Sequence, residues 1–255
     1  METRLEREQR FFDAAPEEDR RALGKYYELA RSSAAAYDGL LQVLTPGSRV
    51  LELGCGDGTS AIELAGWGAE VDAIDISPAR VEEARQRTAE QGVERARFHV
   101  MDAEQLAFDD GSFDLVCGRA ILHHLDLERV LPELGRTLAP AGRLVFIEPL
   151  GHNPAINLFR SRTPGLRTPD EHPLLMRDLA LVRSLFDDVE LRFFHLTSFA
   201  ALPCRRFSWH ERLLHGLEAL DERLLRLRPL RRYAWRVLIS ASATRRPAGT
   251  PAGSR

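Results

Sequence analysis

Lysine is almost missing from this chain: Lys25 stands alone, and the other 34 basic residues are arginine. Such a bias follows from the base composition of a GC-rich genome and carries no functional reading. Cysteine is scarce as well. Cys55, Cys117 and Cys204 are odd in number, widely spaced and without a CxxC pair. That pattern excludes a disulfide framework and a structural zinc cluster, and fits a reducing compartment. No uncharged run of about 18 apolar residues is present to span a bilayer. Residues 1–7 (METRLER) alternate charges without an apolar stretch, so no signal peptide is expected and the expected location is cytoplasmic. Low-complexity runs and short repeats are lacking too, which argues against disorder or a solenoid. A net charge of −3 excludes a uniformly basic nucleic-acid coat.

What is present is enough for a sizeable core: 255 residues, 44% hydrophobic and 29% charged. At roughly 150 residues per domain, that length leaves one domain or two open. Residues 1–48 read as amphipathic helices, with Pro16 followed by Glu17, Glu18 and Asp19 as a helix start, and Pro46-Gly47 as the closing turn. A regular alternation follows. Strands are expected at 49–53, 70–76, 95–101, 113–117 and 143–148. Helices are expected near 59–65, from Ser77-Pro78 to about Gln91, and over 127–138, with a turn at Pro140-Ala141-Gly142. Strands alternating with helices of this length form a parallel sheet with right-handed crossovers and helices on both faces. Residues 150–173 hold Pro154, Pro164, Pro169 and Pro173 and read as a long structured loop. Beyond them come a helix near 174–186, a strand near 189–196, an apolar helical stripe from Trp209 to Leu227, a stop at Pro229 and a last strand near 233–241. Residues 245–255 are expected to be a disordered tail.

The chemistry-bearing segment is Val50-Leu51-Glu52-Leu53-Gly54-Cys55-Gly56-Asp57-Gly58, a strand entering a Gly-x-Gly-x-Gly turn ahead of a helix. Such a turn lets backbone approach a ligand at the carboxyl edge of a sheet. A dinucleotide site would need a third glycine where Thr59 stands. Glu52 beside the turn is unsuited to a diphosphate and suited to a ligand carrying positive charge. Asp75, followed by Ile76, ends the second strand, where a carboxylate can accept from both hydroxyls of a ribose or cap the next helix. Asp102-Ala103 ends the third, where Asp102 can accept from an adenine amine or cap a short helix. Asp114 reads as structural.

With these residues the sequence resembles the class I S-adenosylmethionine-dependent methyltransferases, especially the small-molecule branch that includes the ubiquinone and menaquinone methyltransferases. The matching segments are VLELGCGDG (50–58), VDAIDIS (71–77), MDAEQLAF (101–108), FDLVCGRAILHHL (113–125) and LAPAGRLVFIEP (138–149). The resemblance implies a Rossmann-like, doubly wound α/β sheet of seven strands, mostly parallel with an antiparallel last strand. It implies S-adenosylmethionine as cofactor. Gly54, Cys55, Gly56 and Gly58 would meet its methionine part, with Glu52 nearby. Asp75 and Ile76 would hold the ribose, Asp102 and Ala103 would read the adenine, and Arg119 would edge the same pocket. On this reading residues 1–244 are one domain. It comprises a helical cap (1–48), a cofactor-binding core (49–149), an acceptor-covering loop (150–175) and a basic amphipathic helical insertion (200–230).

A neutral hydroxyl acceptor needs a base, usually His, Asp or Glu. His123 and His124 follow the fourth strand, Glu148 ends the fifth, and His152, Asp170, Glu171 and His172 sit in the loop beyond. Each has a plainer use. One histidine can cap the helix at Leu125-Asp126, and Asp170-Glu171-His172 can be a turn held between Pro169 and Pro173. Glu148, His123, His124 and His152 are the catalytic candidates. No metal is expected, because Gly118, Arg119 and Glu148 stand where catechol-type enzymes place Asp/Asp/Asn ligands. Neither is nucleic acid. Cys117-Gly118-Arg119 replaces the Asn/Asp-Pro-Pro-Tyr run of base methylases, and Asn153-Pro154-Ala155-Ile156 lacks the second proline and the aromatic. Residues 204–246 carry eleven arginines against four acids, a net of +7, so the remainder carries −10. That segment is either a solvated arginine-rich face or a surface for anionic lipid or a phosphorylated acceptor. The expected activity is methyl transfer to a small-molecule hydroxyl of a secondary metabolite, quinone, lipid or sugar. A nicotinamide-dependent oxidoreductase and a non-catalytic cofactor-binding module are the alternatives.

Overall fold

The computed structural model describes residues 3–14, 28–163, 168 and 171–243. The helix start at Pro16–Asp19, Asp170 and the 245–255 tail lie outside the described residues. Seven strands form one sheet: β1 (Arg49–Leu53), β2 (Glu70–Asp75), β3 (Ala96–Val100), β4 (Phe113–Arg119), β5 (Leu138–Pro149), β6 (Asp187–Phe194) and β7 (Arg236–Ser242). Their order is β3-β2-β1-β4-β5-β7-β6. β1 runs parallel to β2 and β4, and β4 to β5, whereas β7 is antiparallel to both β5 and β6. The expected Rossmann-like sheet with an antiparallel last strand is therefore present. The order reverses between β1 and β4, and ligand crevices of open α/β sheets form at the carboxyl ends of strands flanking such a reversal.

The alternation of side chains along β1 sends Val50 into one core and Leu51 and Leu53 into the other. The first core receives α2 (Arg31–Leu44) through Tyr37 and Leu41, α3 (Thr59–Gly66) through Leu64, and α4 (Pro78–Glu90) through Val81. The second receives α5 (Leu127–Thr137) through Leu131 and Leu134, and α7 (Met176–Leu185) through Val182. Both faces of the central strands are covered, so they read as near-continuous apolar runs. Helix starts follow local chemistry. The Ser77 hydroxyl accepts from the Arg80 amide with Pro78 in the first turn of α4, and the Asp126 carboxylate accepts from the Glu128 amide at the head of α5.

Three expectations need correction. Pro140-Ala141-Gly142 is not a turn before β5 but part of it: the pairing steps from Phe113–Leu138 to Leu115–Arg143, and the extra residues bulge out. The 150–173 segment is not wholly loop, because Pro154–Arg162 forms helix α6. Its proline occupies the first turn, where no amide is needed, and Asn153 caps it by accepting from the Ala155 and Ile156 amides. The basic insertion is three pieces: a 3-10 turn (Ser198–Cys204), α8 (His210–Leu224) and a short α9 (Arg228–Arg231) that contains Pro229 rather than ending at it. Before the sheet, α1 (Arg4–Ala14) precedes α2.

Helix α8 is fastened to the sheet by one side chain. The buried Asp221 carboxylate accepts from the amides of Leu196, Thr197 and Ser198 and from the Thr197 hydroxyl, at 2.6–3.2 Å, just past the end of β6. Replacing it leaves those donors without a partner, so Asp221→Ala is expected to lower stability by about 2–4 kcal/mol in urea denaturation. Asp221→Asn should lose less.

Candidate active site

Gly54, Gly56 and Gly58 all take left-handed backbone conformations, with φ of +68°, +50° and +79°. They differ in what a side chain would meet. A Cβ on Gly54 would lie 2.9 Å from Ile121 Cδ1, and one on Gly58 would lie 2.8 Å from Ala84 Cβ, whereas nothing stands within 4 Å over Gly56. Gly54 and Gly58 thus let the turn pack against its neighbours. Gly56 leaves open backbone at the carboxyl edge. The Gly56 amide donates to Asp75 Oδ2 at 3.0 Å and the Ser77 amide to Oδ1 at 2.9 Å, which pins the carboxylate that ends β2 beside the glycine turn and Ile76. Burial raises the pKa of Asp75 against the pull of those amides.

Glu52 is buried, and burial pushes its pKa up to about 8 against the Ser60 hydroxyl and the Arg119 charge. Its Oε2 has no hydrogen-bond partner. A buried acid with one oxygen left without a partner at this edge can be satisfied by a cationic ligand group. Asp102 uses Oδ1 to accept from the Glu104 amide at 2.9 Å, so it does cap the turn that begins with the buried Ala103. Arg119, at the end of β4, donates to Asp38 Oδ1 at 2.7 Å and lies over the Tyr37 ring at 4.8 Å. Both partners come from α2. The Cys55 and Cys117 thiols are buried, and burial pushes their pKa values far up, so neither is a nucleophile.

On the other side of the reversal, Ala120 turns the chain at φ +56° and aims the next two amides at Glu148. The Ile121 and Leu122 amides donate to Oε1 at 2.9 Å each, and His123 Nδ1 sits 2.7 Å from Oε2. Glu148 is fully buried at the end of β5. A carboxylate beside Nδ1 places the ring proton there and leaves Nε2 as the acceptor. Burial, and then the neighbouring His124, lower the pKa of His123, so its ring is neutral at pH 7.

A roof covers these groups. His124 Nδ1 is 3.2 Å from Glu8 Oε2 and its ring meets Phe12 edge-on. Glu8 Oε1 accepts from the Thr168 hydroxyl at 2.7 Å. Arg4 pairs with Glu104 and donates to the His124 carbonyl, and the Ser77 hydroxyl donates to Asp13. Helix α1 thereby stretches across the edge from the β4 turn to the head of α4. The His172 amide donates to the His123 carbonyl at 3.0 Å, which brings Glu171 in with its partner Arg160. His123, His124 and Glu171 then offer ligand-type atoms within 4.8 Å of one another.

Residues 50–142 match the family described as "Methyltransferase domain". The chain is 34% identical over 173 residues to the sarcosine/dimethylglycine N-methyltransferase of Halorhodospira halochloris, covering 63% of this chain and 61% of that one. It is 42% identical over 103 residues to the demethylmenaquinone methyltransferase of Clavibacter sepedonicus, covering 40% and 41%. Residues 50–142 therefore carry a methyltransferase domain of the class I S-adenosylmethionine-dependent type. Its fold also matches a Haemonchus contortus phosphoethanolamine N-methyltransferase structure, with a TM-score of 0.60, 19% identity, and 81% of this chain and 52% of that one covered. The chain thus spans only 61% of the length of the Halorhodospira halochloris enzyme.

In this chain Glu52, Gly54, Cys55, Gly56, Gly58, Asp75 and Ile76 gather at the ends of β1 and β2, Asp102 and Ala103 follow β3, and Arg119 ends β4. His123, His124 and Glu148 come together across the reversal. His152 is occupied elsewhere: its Nε2 accepts from the Met176 amide at 3.2 Å, at the head of α7. Sequence reading missed Glu8, Asp38, Tyr37 and Thr168. The spacing of Arg4, Glu8 and Phe12 on one helical face was the available signal for the roof. Truncating Glu148 to alanine leaves two buried amides and His123 without a partner, and should cost about 3–5 kcal/mol in chemical denaturation.

Proposed function

We propose that this methyltransferase moves a methyl group from S-adenosylmethionine to a hydroxyl of a small molecule, with His123 as the base and Glu148 as the residue that positions it. The observation that carries this reading is the buried Glu148–His123 pair beside the glycine turn, which leaves a neutral imidazole with Nε2 as acceptor. The cofactor fits the residues present: open backbone over Gly56, a pinned carboxylate at Asp75 for the ribose, and the unpartnered Oε2 of Glu52 for the positively charged methionine end. Bound there, S-adenosylmethionine supplies an electrophilic sulfonium methyl. The protein's own part is to orient the acceptor hydroxyl, take its proton on Nε2 and keep water away beneath α1, Thr168 and Glu171. The relatives named above act on amines and on a quinone precursor, and the acceptor here belongs to the broader set of metabolites, quinones, lipids and sugars. Thr59 in place of a third glycine weighs against a nicotinamide cofactor.

A second reading rests on the His123, His124 and Glu171 cluster, which has the donor types of a divalent transition-metal site. Activity abolished by a chelator and restored by zinc or manganese would favour it. Activity indifferent to the chelator favours the base.

Methyl transfer is best tested with Glu148→Gln. The amide can still accept from the Ile121 and Leu122 amides, but its NH₂ donates to His123 Nδ1 and forces the proton onto Nε2. The variant should stay folded and lose about 100-fold or more in kcat, and His123→Ala should lose as much. In the wild type kcat/KM should hold through neutral pH and fall only below about 6.5, because the His123 pKa is lowered. Unchanged kcat in Glu148→Gln would remove His123 from this role. Cofactor binding carries its own signature. Glu52 is mostly protonated at pH 7, and a cation beside it favours the carboxylate, so binding should release protons and tighten as pH rises toward 8. Calorimetry in two buffers of different ionisation enthalpy measures that release. Glu52→Gln should abolish it and weaken binding by roughly 10-fold to 100-fold.

A further inference from the structure

The arginines of the 204–246 segment do not share one surface. Arg236 is buried at the start of β7, and Arg231 turns inward so that its Nε donates to the Leu225 carbonyl. The sorting of residues around α8 is cleaner than the charge count. Leu214 and Asp221 face the protein, where Leu214 packs with Leu29 and Ala201 against Trp235. The acids occupy one flank: Glu218 accepts from the Ser32 hydroxyl at 2.6 Å, Glu211 lies 3.6 Å from Arg31, and Glu222 follows at the same helical position. That flank points toward the head of α2. The outward face carries Leu220, 41% exposed, with Trp209 at its N-cap and Leu227 beyond its end, 46% and 57% exposed, and the ring of Phe207, 56% exposed, stacks on Trp209 with centroids 5.2 Å apart. Beside them stand the exposed Arg205, Arg206, Arg212, Arg223, Arg226 and Arg228.

We propose that this outward face of α8, with Phe207 before it and Leu227 after it, docks on an anionic phospholipid bilayer. Protruding aromatic and leucine side chains flanked by arginine, with the acids drawn to the far side, are the composition of a helix that lies in a membrane interface. A second copy of the chain would set arginine against arginine about a two-fold axis, which like-charge repulsion opposes. The element is held firmly for such a task, since Asp221 bonds it to the turn after β6. That turn follows the end of β6 that pairs with the start of β7, and β7 in turn pairs there with Pro149 of β5. The docking face therefore belongs to the same edge of the sheet as Glu148 and the roof over His123. No helix among the described residues is long and apolar enough to cross a membrane, so attachment would be peripheral.

Vesicle sedimentation of the full chain tests this. Phosphatidylglycerol/phosphatidylcholine vesicles should bind the protein and pure phosphatidylcholine should not, with binding weakening as salt rises. Each arginine near an anionic surface contributes about fivefold in partitioning, so Arg212→Gln/Arg223→Gln/Arg226→Gln should lose about 100-fold. Phe207→Ser/Trp209→Ser should also bind more weakly at constant charge, with an unchanged circular dichroism spectrum and Tm. The Trp209 emission, taken as the difference from Trp209→Phe, should shift to the blue on anionic vesicles. Equal binding to both vesicle types would overturn the proposal, as would an arginine variant that binds like the wild type. So would capture by heparin as tight as by vesicles with no blue shift, or a dimer in solution that Leu220→Arg dissociates.

Discussion

The carboxylate of Glu148 is the group on which this structure turns. It sits with no solvent exposure at the end of a central strand, a position where an unpaired charge would cost several kcal/mol. Its environment satisfies it from three directions, through two successive backbone amides and one imidazole nitrogen. Those contacts shape the β4 turn: the amides can point at Glu148 only because Ala120 accepts a left-handed conformation, and Ile121 then closes over Gly54 and Gly118. A change in the carboxylate would therefore reach the glycine turn as well as the histidine. The glycine turn and the Glu148–His123 pair are mechanically one unit.

The elements around this unit are fastened by the same device, a buried side-chain oxygen collecting donors from a distant part of the chain. Glu104 takes the Asp126 amide and Arg4, Glu8 takes Thr168, and Asp221 takes the turn after β6. Each contact joins segments that the apolar core alone would leave free to shift, since α1 and α8 touch that core only at its margin. A roof held by a few such contacts can open locally at smaller cost than one packed into the apolar core.

Much of the fold was legible because it is written in local chemistry. Apolar runs bounded by glycine and proline marked β1 to β5, and Ser77-Pro78 and Asp126 marked helix starts that the structure shows with their capping bonds in place. The misreadings came where pairing or burial overrode a local signal. Pro140-Ala141-Gly142 has turn composition, yet the edge of β4 absorbs it as a bulge. Asn153-Pro154 is a helix start of the same kind as Ser77-Pro78, but the prolines downstream of it suggested loop. Arg231 and Arg236 were counted with a surface cluster, and only packing shows that they turn inward.

The sequence by itself determined the glycine turn, the acids at the ends of β1, β2 and β3, and hence the family, because each depends on residues adjacent in the chain or on the period of a strand. It also brought His123, His124 and Glu148 under suspicion, one at a time. Only the tertiary structure decided that Glu148 and His123 are partners while His152 serves α7, and that Glu8 and Thr168 close over them. It also decided that the acids of α8 face α2 and leave its arginines and aromatics outward. The reason is physical: a hydrogen bond at 2.7 Å between residues 25 positions apart depends on how two strands and a turn are registered, and no local propensity records that register.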